Sequence, residues 1–181
     1  MDNMTDSSKQ LFNLLLNLRN KSLDDWLQNS LFTWRWWLGI TIAIVPWILW
    51  IYVRDKKSTN RLLYVGIFSM VYAFMVDTIG VSFNLWFFEY RIFPVFHIFF
   101  PWDFTLIPVF IMILIQVKPY KYVFVKASFF AIFSAFIAEP IFHMLKLYHL
   151  TNWRYTYSFI LYFILYYMCN FLSKRKNFEP L

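Results

Sequence analysis

The sequence predicts an all-α integral membrane protein, a bundle of five transmembrane helices preceded by an amphipathic helix. Two features of its composition indicate this class: 60% of the 181 residues are hydrophobic, and only 15% are charged. Soluble domains carry about a quarter of their residues as charges, so this chain lies well outside the soluble range. Five long apolar stretches, separated by short polar segments, set the predicted number of crossings.

The first element is an N-terminal arm, residues 1–33. Apolar residues recur at helical spacing between residues 8 and 32, but asparagines and basic residues interrupt any span. An amphipathic helix lying on the membrane surface fits this pattern, and a plain soluble arm is the alternative. A transmembrane domain, residues 34–173, and a basic cytoplasmic tail, residues 174–181, complete the predicted organisation.

The spans themselves follow from the apolar runs, each close to the 20 residues or so that a helix needs to cross the hydrocarbon core. The third run is interrupted at Pro101, so residues 93–100 either begin this span or form a separate re-entrant element. The predicted spans are residues 36–53, 62–86, 93–117, 122–144 and 155–172.

Lysine and arginine are concentrated in the loops on one side of the predicted bundle. This asymmetry places the C-terminus in the cytoplasm and the N-terminus outside. The basic residues on the cytoplasmic side are Arg54, Lys56, Lys57, Arg61, Lys118, Lys121, Lys126, Lys174, Arg175 and Lys176. Those opposite are Arg91, Lys146 and Arg154.

Charge and cysteine counts exclude several functions. The net charge of +7 comes from these loop clusters, so we expect no nucleic-acid partner. The single cysteine, Cys169, excludes an intramolecular disulfide, and no phosphate-binding glycine loop is present. The three histidines are scattered without the fixed spacing of a metal site, so we expect neither a metal nor a cofactor.

Three acidic residues, Asp77, Asp103 and Glu139, lie within separate apolar runs. Each is 15 to 18 residues from the basic residue that marks the cytoplasmic end of its span. At 1.5 Å per residue these distances are about 22 to 27 Å, which places all three in the outer third of the membrane. Because carboxylates are costly in hydrocarbon, one shared depth indicates a shared polar pocket with a candidate catalytic acid cluster.

Other polar and aromatic residues reach the same level and are candidate binding residues. They are Asn84, Trp86, Arg91, His97, His143 and Arg154. Glu139 and His143 lie one turn apart and share a helix face. The two arginines are candidates to neutralise the acids or to contact lipid headgroups.

Each feature also has a structural interpretation. Asp77 is a candidate for a hydrogen bond to a neighbouring helix, with Gly80 permitting close approach. Asp103, just after Pro101, is a favourable first-turn residue of a helix. The many aromatic residues of the fifth span are interpreted as lipid-facing or packing residues, with an aromatic lining for a polyene or isoprenoid as the alternative.

Several segments resemble a family of small multi-helix membrane proteins of spore-forming Gram-positive bacteria. They are WWLGI, VDTIGVSFNLWFFEY, PWDFTLIPVF, FSAFIAEP and NWRYTYSF, within residues 34–170. The resemblance implies a bacterial cell membrane location and a topology, but no reaction. It draws attention to Asp77, Trp86, Asp103, Pro108, Glu139, Pro140, Trp153 and Tyr157.

A fainter similarity is to the small membrane lycopene cyclases. Those enzymes carry an intramembrane acid, a tryptophan some residues later, and a proline-plus-acid motif that opens another helix. Asp77, Trp86 and Pro101 with Asp103 are the matching residues. This chain has one acid where the cyclase motif is expected to have two.

Three functions follow, in order of preference. The first is a non-catalytic component of the spore or cell envelope, with an acid cluster that binds a ligand or holds the helices together. The second is a cofactor-free, acid-catalysed enzyme, similar to a cyclase or isomerase, acting on a lipid or isoprenoid. The third is ion or proton translocation. Membrane lipids are the expected partners, and a homo-oligomer is compatible with the sequence.

Overall fold

The computed structural model describes residues 5–94 and 98–175. Within these ranges the chain is mostly helical, which confirms the predicted all-α class. The candidate residue His97 and the end of the basic tail lie outside the described residues. The helices are α1 (Asp6–Asp25), α2 (Trp34–Val53), α3 (Thr59–Ser82), α4 (Ile107–Gln116), α5 (Val123–Phe133), α6 (Glu139–Met144) and α7 (Tyr155–Ser173). Two short strands, β1 (Trp86–Phe88) and β2 (Tyr148–Leu150), pair antiparallel.

Four helical segments are long and apolar enough to cross a membrane. They are Trp34–Val53, Thr59–Ser82, Val123–Met144 and Tyr155–Ser173. A fifth apolar segment, Trp102–Gln116, has only 15 residues. At 1.5 Å per residue it is about 22 Å long, shorter than a hydrocarbon core of about 30 Å. The structure therefore supports membrane insertion, with four helices of spanning length and one shorter helix.

Wide π-helical turns interrupt two of these segments next to prolines. Trp102–Leu106 leads into α4, where Pro108 is near the start, and Ser134–Ala138 leads into α6, where Pro140 is near the start. Proline lacks an N–H and its ring crowds the carbonyl four residues earlier, so the preceding turn widens. The carbonyl of Phe104, four residues before Pro108, accepts a hydrogen bond from the Trp47 indole of α2 instead.

The predicted second span is too long at its C-terminal end. Helix α3 ends at Ser82, and Trp86 belongs to strand β1 rather than to the helix. Asn84 adopts a left-handed backbone conformation, with φ of 53°, and the Leu85 N–H bonds back to the Gly80 carbonyl. Asparagine tolerates this conformation better than most residues, so the chain turns here and leaves the helix.

The core is built by α3, α4, α5 and α7. Its largest fully buried aliphatic side chains include Leu62, Ile111, Met112, Ile115 and Leu165. Helix α2 is peripheral. Only 11% of its apolar stretch is buried inside the protein, against 33% to 39% for the other three long segments.

The N-terminal helix α1 has no buried residue. Arg91 holds the C-terminal end of α1: its guanidinium donates to the Ser22 hydroxyl, and its carbonyl oxygen accepts from the Trp26 indole just after the helix. The placement of α1 on a membrane surface stays a prediction.

The two ends of the bundle differ in structure. We call the end formed by residues 83–94, 98–101 and 145–154 the hairpin end, because it carries β1 and β2. We call the other end, with residues 54–58, 117–122 and 174–175, the basic end.

Candidate functional site

Three helical segments bring the acids together in one cavity near the hairpin end. Asp77 lies on α3, Asp103 in the π-helical turn before α4, and Glu139 at the first position of α6. All three are buried, with exposed fractions of 8%, 1% and 6%. All three line the same cavity. Two of the acids thus lie in or directly after a π-helical turn, a deviation that is frequent at functional sites.

Aromatic side chains form most of the cavity wall. The empty space, its mouth included, is about 610 Å³. The interior itself is narrow and holds roughly four water molecules. The lining residues are Tyr72, Ala73, Val76, Asp77, Trp86, Phe88, Phe99, Trp102, Asp103, Ile107, Glu139, Phe142, Tyr148, Trp153, Ser158, Leu161, Tyr162 and Leu165. A small polar group fits this interior, whereas a whole headgroup or a long polyene does not.

Two hydrogen-bonded relays, one to each carboxyl oxygen, converge on Glu139. The Tyr162 hydroxyl donates to Oε1 at 2.8 Å and itself accepts from the Trp102 indole at 2.9 Å. The Ser158 hydroxyl donates to Oε2 at 2.9 Å and accepts from the Trp153 indole at 3.0 Å. Both oxygens of this carboxyl therefore have partners, as buried polar groups require.

Asp77 and Asp103 have a different environment. Their carboxyl groups are close enough to interact directly. The Trp86 indole donates to Oδ1 of Asp77 at 3.2 Å. The Oδ2 atoms of both aspartates are buried and accept no hydrogen bond from the described part of the chain. This side of the cavity holds acceptor oxygens without donors.

Gly80 allows Trp86 to reach Asp77. It lies three residues after Asp77 on the same face of α3, and the Trp86 ring packs directly on it. A Cβ atom at position 80 would lie 2.0 Å from Cζ2 of this ring. The indole also packs edge-on against Trp153, at 5.1 Å between centroids. Only glycine leaves room for this arrangement.

Within the described part of the chain, no lysine or arginine lines the cavity. The ion pairs Lys9–Asp6 and His149–Glu89 do not involve the three acids. Arg91 lies near Asp25 and Ser22 of the N-terminal arm, where burial lowers its pKa and Asp25 partly offsets this. The expectation that arginines neutralise the acid cluster is not met in the described structure.

Most of the other predicted binding residues also lie away from the cavity. Trp86 lines it, but Asn84 is exposed in the turn after α3, and Arg154 is exposed just before α7. His143 is exposed and its Nδ1 atom contacts the Tyr148 carbonyl oxygen rather than an acid. His143 and Glu139 lie on the same helix, but only Glu139 contacts α7, through Ser158 and Tyr162.

Sequence reasoning missed the donors that surround Glu139. Ser158 and Tyr162 belong to the aromatic fifth span, where such residues were interpreted mainly as lipid-facing or packing residues. A signal was available, because Ser158, Tyr162, Tyr166 and Asn170 recur every four residues and so share one face of α7. A polar stripe within an apolar helix predicts an inward face.

The described residues contain no group of three or more His, Cys, Asp or Glu side chains placed to hold a metal ion. The cavity instead offers carboxyl acceptors, hydroxyl and indole donors, and aromatic faces, a set suited to a proton or an organic cation. Comparisons with protein-family models, curated proteins and solved structures find no match for this chain.

Proposed function

We propose that this protein is a non-catalytic component of a bacterial cell envelope whose acid cavity binds the amine end of a membrane lipid. One observation carries the proposal: the Oδ2 atoms of Asp77 and Asp103 are buried and accept no hydrogen bond from the other described residues. They belong to an aromatic-walled cavity that no described lysine or arginine lines. An ammonium group is the complementary ligand, because it donates hydrogen bonds, carries positive charge and is attracted to aromatic faces.

The proposed topology has five crossings, with the hairpin end outside. The short segment Trp102–Gln116 completes the count, because its apolar length is nearly enough for a crossing where the bilayer is locally thin. The basic end carries most of the loop lysines and arginines, so the positive-inside rule assigns it to the cytoplasm. The cavity then opens towards the outer leaflet.

A purely structural role for the acids explains less of the geometry. In a structural network the buried polar atoms find partners within the protein, and Glu139 meets this condition. The Oδ2 atoms of Asp77 and Asp103 do not meet it among the other described residues, and an unpartnered buried acceptor lowers stability by about 1–3 kcal/mol. A ligand that donates hydrogen bonds to them would recover this free energy.

Size restricts the ligand further. The interior holds roughly four waters, so it admits an ammonium group but not the phosphate that follows it in an aminophospholipid. A phosphate inside the cavity would also be repelled by three acids. The amine therefore enters, and the remainder of the headgroup stays at the mouth.

Lipid extraction tests this proposal. Wild-type protein, the double variant Asp77→Asn/Asp103→Asn and the control Glu89→Gln are purified in mild detergent, and retained lipids are quantified by mass spectrometry. Glu89 is an acid of the hairpin end outside the cavity, paired with His149. We expect amine-bearing lipids to be enriched over their membrane abundance in wild type and control, and not in the double variant. Bulk lipid ratios in all three would contradict the proposal.

A second candidate function is acid-catalysed isomerisation or cyclisation at the terminal double bond of an isoprenoid, of which only the end would enter the narrow interior. The proximity of Asp77 and Asp103 on one wall of the cavity favours it, because two adjacent carboxyls in an apolar site can share one proton. That proton would add to a carbon–carbon double bond and leave a carbocation beside the aromatic wall. Loss of a neighbouring proton to the Glu139 carboxylate would complete an isomerisation without an oxidant or reductant.

Deuterium labelling tests this reaction separately. The protein is incubated with a polyisoprenoid in D2O, and deuterium on carbon is measured by mass spectrometry. Acid catalysis predicts incorporation with wild type and its loss with Glu139→Gln and with the double aspartate variant. Absence of label with wild-type protein would exclude this function for the substrate used.

A further inference from the structure

We infer that an apolar groove beside the acid cavity holds the hydrocarbon chain of the same amine-bearing lipid. This inference rests on the proposed function and identifies the second half of its ligand. The groove lies between α2, α4 and the α5–α6 segment, and its empty space, the open side included, is about 1040 Å³. Its lining includes Pro46, Leu106, Ile113, Phe133 and Ala138.

The groove and the acid cavity are two sides of one wall. Trp102, Ile107 and Phe142 line both spaces. The Trp102 and Phe142 rings pack edge-to-face at 5.2 Å between centroids. On the cavity side the Trp102 indole donates to Tyr162, which donates to Glu139. A molecule that reaches around this wall can place a polar end among the acids and a chain in the groove.

The dimensions of the groove match a chain from one leaflet. Its lining on the α4 side runs from Trp102 to Ile113, which is about 16 Å at 1.5 Å per residue. This is about half of a hydrocarbon core of about 30 Å. The groove also runs from the level of the acids towards the basic end, the direction that a chain takes from an outer-leaflet headgroup.

The chemistry of the lining selects hydrocarbon. Of the thirteen described residues that line the groove, twelve are hydrophobic. The remaining one, Ser134, is buried. Such a surface offers water few hydrogen-bond partners. A hydrocarbon chain would fill the groove and restore the van der Waals contacts that an empty apolar space lacks. Because the groove shares a wall with the acid cavity, the chain of the lipid bound there is favoured as its occupant over a helix of a second copy.

Blocking the groove tests the inference. Ala138→Trp would place a large ring in the groove, and the neighbouring Ile137→Trp is the matched control because Ile137 is exposed and does not line it. Retained lipid is measured by native mass spectrometry and lipid extraction. We expect Ala138→Trp to retain at least about tenfold less of the amine-bearing lipid, and Ile137→Trp to stay within about twofold of wild type.

A second blocking variant protects the test against misfolding. Ile113→Trp enters the groove from the α4 side, and thermal unfolding and gel filtration establish whether each variant is folded. Wild-type lipid retention by a folded blocking variant would overturn the inference. An equal loss in Ile137→Trp would overturn it as well, and so would a change from dimer to monomer in the blocked variants, because the groove would then be a protein interface.

The Asp77→Asn/Asp103→Asn variant separates this inference from the proposed function. If groove blocking releases the lipid and the aspartate variant retains it, the chain site stands and the amine site fails. If the aspartate variant releases the lipid and the blocked variants retain it, the amine site stands and the groove inference fails. Release in both supports one ligand that occupies both spaces.

Discussion

Glu139 and the Asp77–Asp103 pair lie in one cavity, yet the bundle surrounds them differently. Glu139 receives a hydroxyl donor at each oxygen, and each hydroxyl is itself held by an indole. The aspartates receive one indole between them, through Trp86, and their Oδ2 atoms accept no hydrogen bond from the other described residues. We refer to these as the Glu139 side and the aspartate side of the cavity.

This difference shows that the burial of an acid does not by itself indicate its role. A buried carboxyl with a complete set of donors is a rigid part of the structure. When the oxygens of a buried carboxyl face empty space, a ligand that donates hydrogen bonds to them would stabilise the protein. On this criterion the Glu139 side is structural and the aspartate side is the proposed binding side, whereas the sequence grouped all three acids in one candidate cluster.

The largest expected effect comes from Gly80, which supports the aspartate side. Gly80→Ala would force the Trp86 ring from its position, because the new Cβ would lie 2.0 Å from a rigid ring atom. The Asp77 hydrogen bond and the Trp153 contact would be lost together. We expect the free energy of unfolding, measured by denaturant titration in micelles, to fall by about 3 kcal/mol.

Gly39→Ala is the matched control for this change. Its Cβ would approach Cγ1 of Ile92 at 3.2 Å, a side chain that can shift by a few tenths of an ångström. The gain in helix propensity offsets part of this contact, so we expect a change below about 1 kcal/mol. Equal losses for the two variants would show that Trp86 is not rigidly held on the aspartate side.

Amide replacements compare the two sides directly. Glu139→Gln would turn one acceptor oxygen into an NH2 group facing a hydroxyl donor, and should lower the free energy of unfolding by about 2 kcal/mol. Asp103→Asn would instead supply a donor next to the Asp77 carboxyl, which lacks one at Oδ2. We expect its stability in lipid-free micelles to match or exceed that of wild type. If Asp103→Asn were less stable than Glu139→Gln, the proposed difference between the two sides of the cavity would be wrong.

The sequence predicts the all-α class and the four long apolar helices, because hydrocarbon imposes a simple length and polarity rule. The predicted third span contains only the shorter helical segment Trp102–Gln116. The sequence also places Asp77, Asp103 and Glu139 at one depth, since rise per residue converts position directly into depth. It does not predict that α3 ends before Trp86. The left-handed Asn84 and the β1–β2 pairing, which joins segments about 60 residues apart, decide that boundary.

Side-chain direction explains why the rest of the site could not be predicted. Asn84, His143 and Arg154 share the level of the acids, but depth gives no angle about the helix axis, and they point elsewhere. The donors Ser158 and Tyr162 lie on the inward face of α7, which only the four-residue recurrence of polar residues could have indicated.

Removing single donors should have smaller effects on the Glu139 side. Tyr162→Phe and Ser158→Ala would each leave one Glu139 oxygen without a partner, and should each lower the free energy of unfolding by about 1 kcal/mol. Combined with Glu139→Gln, each should cost less than the sum of the two single changes, because they share one network. Additive losses in these double-mutant cycles would show that the relays do not act through Glu139.

The smallest effect is expected at Tyr166, one turn from Tyr162 on the same face of α7. Both tyrosines are well inside the bundle, but the Tyr166 hydroxyl has no hydrogen-bond partner among the described residues. Tyr166→Phe removes an unpartnered buried group and should change the free energy of unfolding by less than about 0.5 kcal/mol, or raise it. Tyr162→Phe serves as its control, since the same atom is deleted from the same helix face. If hydrogen-bond partners rather than burial decide the role of a polar group in this bundle, Tyr162→Phe lowers the free energy of unfolding more than Tyr166→Phe does. A larger loss at Tyr166 would contradict the distinction between the two sides of the cavity.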